Sequence, residues 1–229
     1  RSGVKLWRSD DWMKKAALII FQKNPVLGKV KTRLAKDIGQ EAALEIYQKL
    51  IQMTFEQALG CGGEIWVFYS DYIPADSPLK NINSRVQSGV DLGQRMENAF
   101  MEVFANNYDA AVIIGTDCPQ ISTACLDQAI QKLDDSDLVI GPALDGGYYL
   151  LGMNRLHSEL FHSITWSSDL VLNQTISVAE KLGLSIQFLP KFYDIDTVDD
   201  LTLFVTQNPK YEFLFNYRSC SLQASSSQT

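Results

Sequence analysis

The sequence predicts an α/β domain in which a largely parallel sheet carries helices on both faces. Three observations lead there. Short, unbroken apolar runs recur along the chain, as strands buried on both faces require. Segments with apolar residues at helical period separate them. Gly, Pro and capping residues fall at the junctions, so strand and helix alternate as they do in βαβ units.

In order, AALIIF (residues 16–21) reads as the first strand, and residues 23–36 as a polar, basic loop. Ala43, Ile46, Tyr47, Leu50, Phe55 and Ala58 repeat at helical period within 40–59, with Gly60 as the stop. Residues 65–69 form the second strand, and residues 71–84 a loop with two prolines. A helix follows over 92–106, with Asp91 at its start. AAVIIG (110–115) is the third buried strand, and Ser122 caps a helix through Leu133. Strands at 137–142 and 148–153 flank Asp145-Gly146-Gly147, a hairpin signal. Ser167 or Ser168 opens a helix to Lys181, which Gly183 ends. Residues 185–189 give the next strand. Thr197 caps the last helix, whose first turn holds Asp199 and Asp200. One domain spans 14–208, with residues 1–13 an extension and 209–229 a partly disordered tail.

Composition narrows the function. The 229 residues are 46% apolar with a net charge of −7, which argues against a basic nucleic-acid surface. No run approaches the ~18 apolar residues of a membrane span. The six-residue apolar run after Lys14-Lys15 lacks a small-residue cleavage site, so it is not read as a signal peptide. The four cysteines (Cys61, Cys118, Cys125, Cys220) include no C-x-x-C pair, and a cytoplasmic setting is expected. His157 and His162 are five apart, a poor spacing for chelation, and a surface place on a polar helix is expected for both. No G-x-S-x-G supports a serine hydrolase.

Ligands of such sheets bind beyond the carboxyl ends of the strands, so those segments hold the candidates. After the first strand, Lys23, Lys29, Lys31, Arg33 and Lys36 crowd fourteen residues of an acidic protein around Gly28. A cationic loop with a glycine turn between strand and helix suits a di- or triphosphate. A solvated charged loop would show the same residues. The third strand ends at Gly115-Thr116-Asp117-Cys118-Pro119, where Asp117 is placed to hold a hard divalent cation or merely to cap the turn. Asp194-Ile195-Asp196 puts two carboxylates on one side of an extended segment. Asp196 is the candidate partner of Asp117, although capping of the last helix also explains it. Asp145-Gly146-Gly147 is a turn first. Its glycines would also let an acceptor or sugar approach, with Asp145 binding hydroxyls or the metal. Residues 87–96 bring Gln87, Gly89 and Arg95 to a helix start, where a plain capped loop is equally consistent. Cys118 has no evident base beside it and reads as packing.

FQKNPVLGKVKTRLA, GVDLGQRM, GTDCPQI, GPALDGGYYLLG, TWSSDLVLNQT and YDIDTVDDL, in that order, resemble a bacterial family of GT-A-type transferases, labelled glycosyltransferase-like or radical-SAM/selenodomain-associated. The resemblance covers residues 14–204. The first and third segments are also similar to 2-phospholactate and molybdenum-cofactor guanylyltransferases. It implies the nucleotide-diphospho-sugar transferase fold, a Rossmann-like mixed sheet. It also implies nucleotide contacts from Lys23, Lys31, Arg33, Gln87, Gly89 and Arg95, beside which Gly28 and Thr32 of the same loop are expected to bind, and Mg²⁺ or Mn²⁺ on Asp117, with Asp196 the candidate second ligand. Lys23, Lys31 and Asp145 are the expected catalytic groups. Gly115 stands where glycosyltransferases of this fold carry the first acid of D-x-D, which leans towards nucleotidyl transfer. Three functions follow: sugar transfer from a nucleotide-sugar donor to a small acceptor, nucleotidyl transfer from an NTP with pyrophosphate release, or nucleotide binding without turnover.

Overall fold

The apolar run after Lys15 becomes β1 (Ala16–Gln22), and its neighbours bury it on both faces. In this computed structural model, which describes residues 15–75 and 82–215, β1 pairs in parallel with β2 (Glu64–Tyr69) and with β4 (Ala110–Ile114). Ile20 lies in register with Val67 on one side and Ile114 on the other. The seven strands run in the order β3-β2-β1-β4-β6-β5-β7. β6 (Tyr148–Met153) is antiparallel to β4 and to β5 (Leu138–Pro142), because the Asp145 turn folds it straight back. The sheet is therefore mixed and mostly parallel.

Alternation along β1 divides the core. Leu18 and Ile20 face Phe55 and Ala58 of α2 (Gln40–Ala58) and Leu126 and Ala129 of α4 (Thr123–Lys132). Ala17 and Ile19 face Phe100 and Val103 of α3 (Leu92–Ala105) and Ala179 of α5 (Val171–Lys181). Asp91, Ser122 and Thr197 each accept a backbone N–H at a helix start, and Thr197 forms a capping box with Asp200. A third cluster joins Leu34, Ile46 and Leu50 to Ile195, Leu201 and Phe204, the last two in α6 (Val198–Gln207).

Five local expectations change. The basic loop ends in a seven-residue helix, α1 (Thr32–Ile38), which buries Leu34 yet is too short and polar to show a period. Within the loop expected over 71–84, β3 (Asn83–Val86) begins. It is a half-exposed edge strand, recognisable only by its pairing with β2. Helix α5 starts at Val171 rather than at Ser167 or Ser168; Ser167 is left-handed at φ 63°. His157 is buried, and the histidines flank a 3-10 turn, Ser158–Phe161, rather than a polar helix; His162 is exposed beside Glu97. β7 is Ile186–Phe188. Pro209–Phe215, assigned above to the tail, packs back on the domain through the buried Leu214. Among the described residues, no helix is long and apolar enough to cross a membrane.

Candidate active site

The connection after β1 leads outward to β2, while β4 lies on β1's other side, so a crevice opens between their carboxyl ends. A cleft of about 810 Å³ occupies it. Lys23, Arg33, Gln87, Arg95, Asp117, Asp145 and Asp196 all line this cleft. Lys31 and Thr32 line a smaller recess of about 180 Å³ that shares Lys23, Arg33, Asp117 and Asp196 with the cleft. Gly28 and Gly89 line neither. They shape the backbone instead, at φ 74° and 139°, and the Gly89 carbonyl accepts a hydrogen bond from Arg95 Nε at 3.2 Å.

Long-range contacts build the floor. Ile195 N–H donates to the Asp117 carbonyl at 2.9 Å, which lays the Asp194–Asp196 segment beside the end of β4. Ile195 is fully buried in the third cluster, so the aspartates on either side turn to the cleft. The same cluster seats α1 against α6 and brings Lys31 to this point. Lys31 Nζ lies 2.5 Å from Asp117 Oδ1 and 3.1 Å from Asp196 Oδ1, with its side chain 3% exposed. Burial lowers its pKa, but Asp117 and Asp196 outweigh that and hold the ammonium above the usual lysine range. In a run of five cations Lys31 reads as a solvated side chain. The structure corrects this, because the cation has two carboxylates to satisfy it underneath the loop. Lys23 and Arg33 are exposed.

Tyr47 from α2 locks the two strand ends together. Its hydroxyl accepts from Lys23 N–H at 3.1 Å and lies 3.0 Å from Thr116 Oγ1. Burial, with Asp117 nearby, pushes its pKa up to about 12, so it stays neutral. Asn24, also buried, accepts from the Asp71 backbone and donates to the Tyr72 carbonyl, fixing the loop after β2. Burial pushes the Cys118 thiol up, consistent with packing.

Three solved structures share this fold. A protein from Desulfovibrio desulfuricans G20, provisionally named a nucleotide-diphospho-sugar transferase, shares 31% identity over 86% of this chain and 88% of that one, at TM-score 0.80. The model of a family described as "Uncharacterized protein conserved in bacteria (DUF2064)" matches residues 61–168. The chain belongs to the DUF2064 family. Its fold is the nucleotide-diphospho-sugar transferase fold. At 13% identity and TM-score 0.54, a CMP:2-keto-3-deoxy-manno-octonic acid synthetase complexed with CTP matches over 86% of this chain and 99% of that one. Rv0371c of Mycobacterium tuberculosis H37Rv, in complex with manganese, matches at 13% identity and TM-score 0.52 over 82% and 96%. A comparison with curated proteins found no match.

The donor set of this DUF2064 member suits a hard divalent cation. Asp117, Asp194 and Asp196 offer only carboxylate oxygens, and the Asp117 and Asp196 side chains stay 33% and 48% exposed. Lys31 already takes one oxygen of each outer pair member. Among the described residues no group of three His, Cys, Asp or Glu side chains is placed to hold a metal by itself. Ligands from a bound phosphate would be needed to complete the shell.

The residue pattern alone did not mark Tyr47, Trp166, Ser167 or Asp169 for the site. Trp166, Ser167 and Asp169 line the cleft from the segment between β6 and α5, where no helical or strand period signals them. Asp194, noted only as the neighbour of Asp196, is held up to about 7 by burial, then by Asp117. A carboxyl raised above its unfolded value of 3.8 binds its proton in the folded state while the unfolded chain has lost it. Stability therefore falls as pH rises from about 4 to about 7. In metal-free buffer, Asp194→Asn should melt higher than the parent at pH 8 and like it below pH 4. Equal melting temperatures at pH 8 would show that Asp194 is not under this strain.

Proposed function

We propose that the protein is a divalent-metal-assisted transferase that takes a nucleotide-sugar donor and passes the sugar to a hydroxyl of a small acceptor. The observation that carries this is the division of charge along the cleft. Lys23 and Arg33 stand on the β1 side, Asp117 and Asp196 at the centre, and Asp145 and Asp169 on the β6–α5 side. A donor diphosphate suits the first part, and a neutral hydroxyl acceptor suits the last, where a phosphate or carboxylate would meet like charge.

In this reading Lys23 and Arg33 hold the donor phosphates, with Lys31 beneath them orienting Asp117 and Asp196. Asp117 and Asp196 would hold the cation, which supplies charge neutralisation for the leaving diphosphate. Asp145, whose Oδ1 accepts from Gly147 N–H at 2.9 Å, is placed to receive the acceptor's proton as its oxygen bonds to the anomeric carbon. The bond from that carbon to the diphosphate oxygen breaks, and the nucleoside diphosphate departs with the electron pair. Gln87, whose Nε2 donates to the Phe68 carbonyl, and Arg95 flank the nucleotide.

Nucleotidyl transfer is the second reading, favoured by Gly115 in place of a second strand-end acid and by the likeness to a CTP-complexed synthetase fold. Incubation with sugar nucleotides and with NTPs, in Mn²⁺, separates the two. Nucleoside diphosphate release supports the first and pyrophosphate release the second. Binding without turnover for any donor would overturn both. The double variant Lys23→Ala/Arg33→Ala should weaken nucleotide binding roughly tenfold or more with the melting temperature almost unchanged, since exposed cations add little stability. Unaltered binding in calorimetry would reduce the loop to a charged surface.

A further inference from the structure

The segment from Ser163 to Leu170 runs from helix α3 to the β5–β6 turn, and its residues 166–169 form one wall of the cleft. We propose that it is the acceptor-binding wall, and that the acceptor is a neutral hydroxylated ring, a sugar or cyclitol, seated on Trp166 with hydroxyls on Asp145 and Asp169. This rests on the sugar-transfer reading above and adds the class of acceptor.

The wall is built for position. Ser163 and Ser167, at φ 60° and 63°, hold left-handed backbone on either side of Trp166. Serine rarely adopts this conformation, and such strain persists where the surroundings enforce it. Here they do. Thr165 N–H donates to Gln174 Oε1 at 2.7 Å, and Ser168 Oγ donates to the Thr165 carbonyl at 2.6 Å. At one end the Trp166 ring rests on Gly93 of α3, where an added Cβ would stand 2.2 Å from Nε1 and 2.4 Å from Cε2. At the other, Gly146 meets the Asp169 carbonyl so closely that a Cβ would lie 2.2 Å from the oxygen. Leu172 N–H also donates to the Gly146 carbonyl at 2.9 Å. Gly93 lies in the first turn of α3, where glycine has no helical advantage over alanine, and room for the indole accounts for it.

The chemistry then selects the ligand. An indole offers a broad apolar surface to the C–H face of a ring, and carboxylates accept hydrogen bonds from hydroxyls. Neither this segment nor the β5–β6 turn contributes a cation to the cleft, so an anionic acceptor has no counter-charge on this wall.

Saturation-transfer NMR with methyl glucoside and myo-inositol as neutral probes tests the proposal, beside glucose 6-phosphate as the anionic and glucosamine as the cationic comparison. The neutral probes should bind best, with the strongest transfer at their ring C–H protons. Trp166→Ala should weaken them by about fivefold or more, and Trp166→Phe by less. Gly93→Ala removes no cleft side chain and favours the helix, so it should fold and yet reproduce the Trp166→Ala defect by displacing the ring. Binding of pyrophosphate with Mn²⁺, measured by calorimetry, should stay within about twofold in all three, which a general structural role would not allow. Absent neutral-probe binding, preference for the phosphorylated or amino sugar, or parental binding by Gly93→Ala would each overturn the proposal. Pyrophosphate release from NTPs with neutral probes still bound would instead sink sugar transfer and leave the wall standing.

Discussion

Asp117→Asn will weaken nucleotide binding in Mn²⁺ by on the order of 100-fold, about 2.8 kcal/mol, while the protein keeps its fold. The substitution preserves shape, and the Ile195 N–H bond to the residue 117 carbonyl involves backbone alone. What is lost is the charge that Lys31 meets at 2.5 Å and that a cation would share. With one carboxylate fewer, the remaining donors and the phosphate oxygens cannot neutralise the ion as well. Calorimetry with Mn²⁺ and nucleotide, beside thermal melting in chelator, measures both halves. Parental affinity in Mn²⁺ would return Asp117 to the role of a turn residue before Pro119.

The other large effect falls on stability. Lys31→Ala should destabilise the protein by about 2–3 kcal/mol, less than a fully buried pair because Asp117 and Asp196 remain part-exposed. For a chain of this size that lowers the melting temperature by roughly 5–10 °C. The cause is repulsion among Asp117, Asp194 and Asp196 once the ammonium between them is gone. Lys31 also has left-handed backbone, φ 47°, ahead of α1, and a β-carbon there costs roughly 1 kcal/mol. Lys31→Gly should thus melt above Lys31→Ala although it removes more atoms. Melting of both variants like the parent would mean that the ion pairs contribute nothing to the fold. Nucleotide binding should fail in both, because Asp117 and Asp196 lose the group that orients them.

These two residues also show what was legible in the sequence. Asp117 was found from its place at the end of an apolar run, since strand ends at a switch point face the ligand crevice. Lys31 was found too, but with the wrong environment. A lysine in a run of five cations looks solvated, and nothing local signals that carboxylates 86 and 165 positions away will enclose it. Asp194 and Asp196 share a side because Ile195 between them is apolar and an extended chain alternates, so that pairing was readable.

By itself, the sequence determined the strands β1, β2, β4, β5 and β6, the caps at Asp91, Ser122 and Thr197, and the loop that carries Lys23 and Arg33. Each is a local effect: burial on both faces needs an unbroken apolar run, and at these three helix starts a side-chain acceptor meets a backbone N–H three residues on. Only the tertiary structure decided that β3 is a strand, that His157 is buried, that Lys31 lies beneath its loop between Asp117 and Asp196, and that Trp166 forms a wall of the cleft. For β3, Lys31 and Trp166 the deciding partner lies far along the chain. Edge pairing, ion pairing and the room that Gly93 leaves for an indole have no period, so they exist only once the sheet has brought the partners together.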